Sequence, residues 1–181
     1  MREQRRASGI ATALISLMLA GAHTLPAQTA IALPQFDATR YTGTWYEIAH
    51  YPNKREKNCT RDVVHVVALN DKPRSLQFVN ACMTKRGYAD ASNVGAKPAD
   101  KRIADGKLKI PTLWPFSRKY WILAVGPDYE WSLTGNPNHK ELWIFSRNLE
   151  LDPQTFTAIK AQADAMGFSS AKLVTIPQTP R

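Results

Sequence analysis

The sequence predicts an all-β domain followed by one late helix. Three observations predict it. Short runs rich in β-branched and aromatic residues recur along the chain from Gly43 to Arg147. Turn-forming stretches such as "NDKPR" and "NPNHK" separate them. Helical periodicity is confined to a single segment near the end. Strands first, then one helix and one more strand, is not the alternation that builds a parallel α/β sheet. About eight short strands fit a sandwich or a barrel. A closed antiparallel barrel removes exposed sheet edges, and eight strands leave an interior able to hold one small ligand.

The elements follow in order. Arg2, Arg5 and Arg6 precede an uncharged stretch, "SGIATALISLMLAGA", ending in Ala20 and Ala22. A basic start, an apolar run and an Ala-x-Ala end predict a secretory signal peptide over 1–22, with cleavage as late as 27. The run is shorter than the roughly 20 apolar residues a membrane-spanning helix needs. No cysteine lies near either cleavage point, so no thiol is offered there for lipid attachment. A loose leader is expected over 23–34, the domain over 35–178 and a tail over 179–181.

"GTWYEIAH" reads as the first strand and "DVVHVVAL", Asp62 to Leu69, as the second. "SLQFVNAC", Ser75 to Cys82, returns as its hairpin partner. Weaker strands are expected at Tyr88 to Val94 and Ala96 to Arg102. "GKLKI" and "KYWILAV" flank the aromatic connection "PTLWPF", and "YEWSLTG" and "ELWIFSR" form a last hairpin. Asp152 suits a helix N-cap and Pro153 the first helical position. Phe156, Ile159, Ala163 and Met166 share one face, and Gly167 suits the left-handed stop. "KLVTI", Lys172 to Ile176, reads as a final strand.

Length and composition bound the rest. At 181 residues and 44% hydrophobic content, the chain suits one domain with its own core. Net charge is +9. The first 22 residues hold three arginines and one glutamate, so most of that surplus stays on the domain and favours anionic partners. Cys59 and Cys82 are an even pair in a chain expected to be exported, where bridging is the rule. Such a bridge would stabilise by roughly 3 kcal/mol.

Three motifs then carry a resemblance. "GTWYEIA" resembles the Gly-x-Trp signature of the lipocalins. "PDYEWSL", Pro127 to Leu133, looks like their second motif, and "LWIFSR", Leu142 to Arg147, like their third. The Asp-Pro helix with Gly167 and Phe168 matches the bacterial branch. The likeness covers Phe36 to Gln178 and is nearest to the bacterial outer-membrane lipocalins, akin to apolipoprotein D. It implies an eight-stranded antiparallel up-and-down barrel with one C-terminal helix packed outside. It also implies a closed floor. Gly43 would permit a tight backbone entry, Trp45 would plug the floor, and Arg147 would lie over the indole.

Period-two alternation then assigns the cavity. With Trp45 facing in, Glu47 and Ala49 follow. In the second strand both faces are apolar, and the family match selects Val63, His65, Val67 and Leu69. Leu76, Phe78 and Asn80 share that face in the third strand, Tyr120, Ile122 and Ala124 in the sixth. Trp131 and Leu133 are further lining candidates. His50, Tyr51, Arg55 and the loop "LWPFSRK" are expected at the mouth, where Arg118 and Lys119 could hold a carboxylate or phosphate. Glu47 and His65 are read as structural, hydrogen-bonded groups.

The implied function is non-catalytic binding and transport or storage of a fatty acid or lysophospholipid in the bacterial cell envelope. Peripheral contact with an anionic membrane fits the charge, and the protein is expected as a monomer or homodimer. Close bacterial relatives are commonly lipoproteins tethered through a cysteine. This chain offers none after its expected signal, so the reading is a periplasmic or secreted protein. The rival is an enzyme acting on a small hydrophobic substrate held in the barrel. No Gly-x-Ser-x-Gly, His-Glu-x-x-His, Cys-x-x-Cys or phosphate-cradling loop supports it. The four histidines are scattered, so neither metal nor cofactor is expected. A nucleic-acid-binding barrel is disfavoured by export and by an aliphatic lining.

Overall fold

The computed structural model describes residues 30–70, 75–99 and 103–180, leaving side chains aside at 89–92. The expected signal peptide, 1–22 with cleavage as late as 27, lies outside them, as do residues 23–29 of the leader. The rest of the leader is not loose. Ala30 and Ala32 are buried, and the Leu33 amide donates to the Ile122 carbonyl at 2.8 Å.

Eight antiparallel strands close the barrel. They are β1 (Gly43–His50), β2 (Cys59–Asn70), β3 (Ser75–Thr84), β4 (Gly87–Pro98), β5 (Lys107–Pro111), β6 (Ser117–Val125), β7 (Trp131–Gly135) and β8 (Leu142–Ser146). Each pairs with the next, β8 pairs with β1, and β1 pairs with β2, so the barrel strands form a closed ring. The two weak strands expected between Tyr88 and Arg102 are one strand, β4, for as far as that segment is described. The final strand shrinks to β9 (Val174–Thr175), which pairs with Ala49 and His50 at the end of β1 that β2 leaves free.

A four-residue helix, α1 (Ala38–Tyr41), crosses beneath the barrel and is capped by the Asp37 carboxylate on the Thr39 and Arg40 amides. Its sequence is too short for periodicity to show. The later helix, α2 (Pro153–Ala165), starts at the Asp152 cap, which accepts from the Gln154 and Thr155 amides. It packs on the outer wall through Ile159 and Ala163. Gly167 follows at φ +84°.

Two large apolar clusters result, beside a small one of Val63, Cys82 and Ile176 at the disulfide. One fills the barrel interior around Phe36, Tyr41, Trp45, Val67, Leu76, Leu108 and Ile122. The other lies between the wall and α2, around Ala49, Leu123, Leu133, Ile144 and Ile159. A disulfide joins Cys59 to Cys82 across β2 and β3, with Cα atoms 5.6 Å apart.

Candidate functional site

The closed end is built by β1, α1 and the residue after β8. Gly43 adopts φ +99°, a conformation that side chains disfavour, and a Cβ there would lie 3.3 Å from Arg147 Nη1. Trp45 follows, buried, with its indole N–H donating to the Tyr41 carbonyl at 2.8 Å. The Arg147 guanidinium sits 3.7 Å from the Trp45 ring centroid. It also donates to the carbonyls of Thr44, Arg40 and Thr42 at 2.8–2.9 Å. One cation thus bonds three backbone carbonyls at the start of β1 and covers the floor. Burial pulls the Arg147 pKa down from its ordinary value. It pushes the Tyr41 phenol, which shares a hydrogen bond with Ser132, up to about 12.

Above this floor the barrel is hollow. A cavity of about 420 Å³ opens between the strands, within the size range of small-molecule sites. Val63, Phe78, Val94, Ile110, Tyr120 and Phe145 supply most of its apolar wall. The rings of Phe78 and Tyr120 meet edge-on at 5.5 Å, and Trp143 stands 5.9 Å beyond Tyr120. The Phe78 and Tyr120 rings belong both to the packed core and to the cavity lining and so mark the boundary between them, while Trp143 stands toward the rim.

The rim is polar. Arg55 and Arg118 flank the Trp143 ring at 5.8 and 5.9 Å. Both reach Glu141, Arg55 at 2.6 Å and Arg118 at 3.5 Å. Arg118 is largely buried and lines the cavity; burial first, then the Arg55 charge, lowers its pKa. Beyond the rim the β5–β6 loop exposes Leu113, Trp114 and Phe116, at 84, 91 and 71% of their surface.

A compact ionisable cluster borders the same cavity. Fully buried Glu47 accepts from His50 Nδ1 through one carboxylate oxygen, and its other oxygen lies 3.1 Å from His65 Nε2. Burial alone would raise the Glu47 pKa, but these bonds outweigh it and lower it. Burial likewise disfavours the His50 cation, and the Glu47 bond overrides it, so the His50 pKa rises. Glu56, on the β1–β2 connection, accepts from Trp143 Nε1 and from Asn53. Burial and the neighbouring Glu47 charge raise its pKa.

Of the residues assigned to the lining from sequence, Val63, His65, Phe78, Asn80 and Tyr120 border the cavity. The others lie elsewhere, for three physical reasons. Val67, Leu76 and Ile122 face inward but sit low, where Trp45 and its neighbours fill the barrel. Glu47 faces inward but is covered by its two histidines. Ala49, Ala124, Trp131 and Leu133 face outward toward α2. A β-bulge between Glu47 and Ala49 adds one residue to β1 and reverses the facing of Ala49. Trp131 takes the opposite parity to Ser132 and Thr134, which are the inward residues of β7. Bordering residues that alternation did not supply include Glu56, Trp143 and Phe145. "LWIFS" is apolar on both faces, so its sequence carries no parity signal; Glu56 lies on a connection with no period at all.

Comparison with known proteins agrees with this architecture. Residues 36–178 match the family model described as a lipocalin-like domain. Temperature-induced lipocalin-1 of Arabidopsis thaliana is 30% identical over 149 residues, covering 77% of this chain and 78% of the relative. Outer membrane lipoprotein Blc of Escherichia coli K12 is 27% identical over 167 residues, covering 90% of each. Among solved structures, the cockroach allergen Per a 4 superposes with a TM-score of 0.63 at 22% identity, covering 84% of this chain and 94% of its own.

Proposed function

The chain belongs to the lipocalin family, of the bacterial outer-membrane, apolipoprotein D-like type, and from that premise we propose that it carries an amphipathic lipid. The ligand class is a fatty acid or lysophospholipid, and the act is binding without turnover. The observation that carries this reading is the hollow upper barrel, apolar along its wall and cationic at its rim. An acyl tail of about 16 methylenes gains at most ~13 kcal/mol by full burial. Ordering and association costs remove much of that, leaving micromolar or tighter binding. Arg118, with Arg55 beside it, is positioned to meet a carboxylate or phosphate head.

The exposed Leu113, Trp114 and Phe116, next to these cations, suit transient contact with an anionic bilayer from which a lipid is taken or to which it is returned. The export signal read in the sequence and the outer-membrane relatives support action in the cell envelope. Native mass spectrometry of the exported protein, with extraction of co-purifying lipid, tests the reading. We expect one acyl lipid per barrel and displacement of a fluorescent fatty acid at micromolar concentration. An empty barrel that also ignores the fluorescent probe would sink it. Turnover of lipid esters would favour the enzyme reading instead.

A further inference from the structure

We propose that Glu47, Glu56 and His65, with His50 beside them, form a binding site for a divalent transition metal, zinc foremost, in the wall of the cavity. Nothing in the lipid-carrier reading requires it, and it stands independently of that reading. The donor chemistry suits such an ion. Two imidazoles and two carboxylates are the nitrogen and oxygen ligands that zinc takes in open, partly solvated sites. The set is gathered from three places, β1, the β1–β2 connection and β2, that a sequence reading leaves 18 residues apart.

Spacing is the second step. A tetrahedral zinc with bonds of about 2.0–2.1 Å has ligand atoms about 3.3–3.4 Å apart. His65 Nε2 lies 3.1 Å from Glu47 Oε2, and His50 Nδ1 lies 3.5 Å from Glu56 Oε2. One donor atom each from Glu47, Glu56 and His65 falls within a mutual 4.8 Å. The ligands converge without a metal, and they are held there. Trp143 Nε1 donates to both Glu56 oxygens at 3.2 Å, and Phe145 stands edge-on to the His65 ring at 4.7 Å. Such outer contacts fix ligand orientation in metal sites.

Charge is the third step. Two carboxylates share a poorly solvated pocket, and two neighbouring anions there are costly. A dication bound between them would balance both. His65 and Glu56 both border the cavity, so a cation between them has a route in from the mouth. The competing description is a closed hydrogen-bond network in which Glu47 is satisfied by its two histidines and nothing else binds.

The test uses tag-free, lipid-stripped protein and the metals alone. Calorimetry with Zn²⁺ should show one equivalent bound at micromolar affinity or tighter, and Co²⁺ should produce visible absorption bands of four- or five-coordinate strength. Glu56→Gln and His65→Asn should each weaken Zn²⁺ binding by roughly tenfold or more and remove the cobalt bands, while circular dichroism confirms the fold. His139→Asn, which alters a histidine set edge-on to Phe168 away from the cluster, should change nothing. Wild-type protein that binds no Zn²⁺ up to millimolar concentration overturns the proposal. So does binding that survives unchanged in Glu56→Gln and His65→Asn. Because Glu56 is partly exposed on a connection, its substitution keeps the test open even where Glu47→Gln fails to fold.

Discussion

The two halves of the barrel share strands, pairing and alternation, yet one is solid and the other hollow. In the lower half Phe36, Tyr41 and Trp45 pack with Val67, Leu76 and Ile122 into one buried core. In the upper half the same strands present Val63, Phe78, Val94 and Ile110 around about 420 Å³ of void. The difference is not hydrophobicity, since both linings are apolar. It comes from α1 and the segment before it, which push large rings into one end, and from Arg147, which locks them there. Stability resides below and binding capacity above. A substitution should therefore reveal its half by which of the two properties it changes.

The largest effect is expected at the floor. Trp45→Ala should destabilise by about 3–5 kcal/mol, as large-to-small changes at buried aromatic sites do. Denaturant midpoints measure it, and fatty-acid preference in the folded fraction should be unaltered. A parent-like midpoint would show that the indole is not what closes the barrel.

Next comes an alkaline effect at Tyr41. The Tyr41 phenol has a pKa near 10.0 when unfolded and about 12 when folded. Its folded form resists ionisation, so its contribution is intact below pH 10 and is lost as pH rises from 10 to 12. Two units correspond to about 3 kcal/mol. Stability curves of wild type and Tyr41→Phe should run parallel below pH 10, after which wild type should fall more steeply. Parallel curves up to pH 12 would contradict the assignment of Tyr41 to a dry floor.

The sequence exposes these halves unequally, and the reason is geometric. Gly43 and Trp45 are legible through the first family motif and Arg147 through the third. The closed β order and α2 are legible because periodicity and caps are local. Depth is not. Alternation tells which side of the wall a residue faces, while successive inward residues climb by about 6.6–6.8 Å; His65, which borders the cavity, and Val67, one step lower in the packed core, therefore carry the same pattern and different fates. Bulges are equally silent. The one in β1 turns Ala49 outward, and another between Ile122 and Ala124 does the same in β6. The ionisable cluster is hidden because Glu56 comes from an irregular connection and meets His65 only after the barrel closes.

The smallest predicted effect is also the sharpest discriminator, because it makes one substitution in both halves. Val67→Trp adds a large ring where the core is already filled, and overpacking of that kind costs typically about 1–3 kcal/mol. Val94 is partly buried and lines the void, so Val94→Trp can place its ring in empty space. Its stability should move by less than about 1 kcal/mol, since no neighbour must be displaced. Fatty-acid affinity should respond in the reverse order. Val94→Trp removes volume an acyl tail needs and should weaken binding by roughly tenfold, the equivalent of losing burial of one or two methylenes. Val67→Trp should leave the affinity of the folded protein close to wild type. Thermal melts and fluorescent fatty-acid titrations on the two variants measure both quantities. If they change stability and affinity alike, the boundary drawn at Phe78 and Tyr120 is misplaced, and the barrel is graded rather than divided.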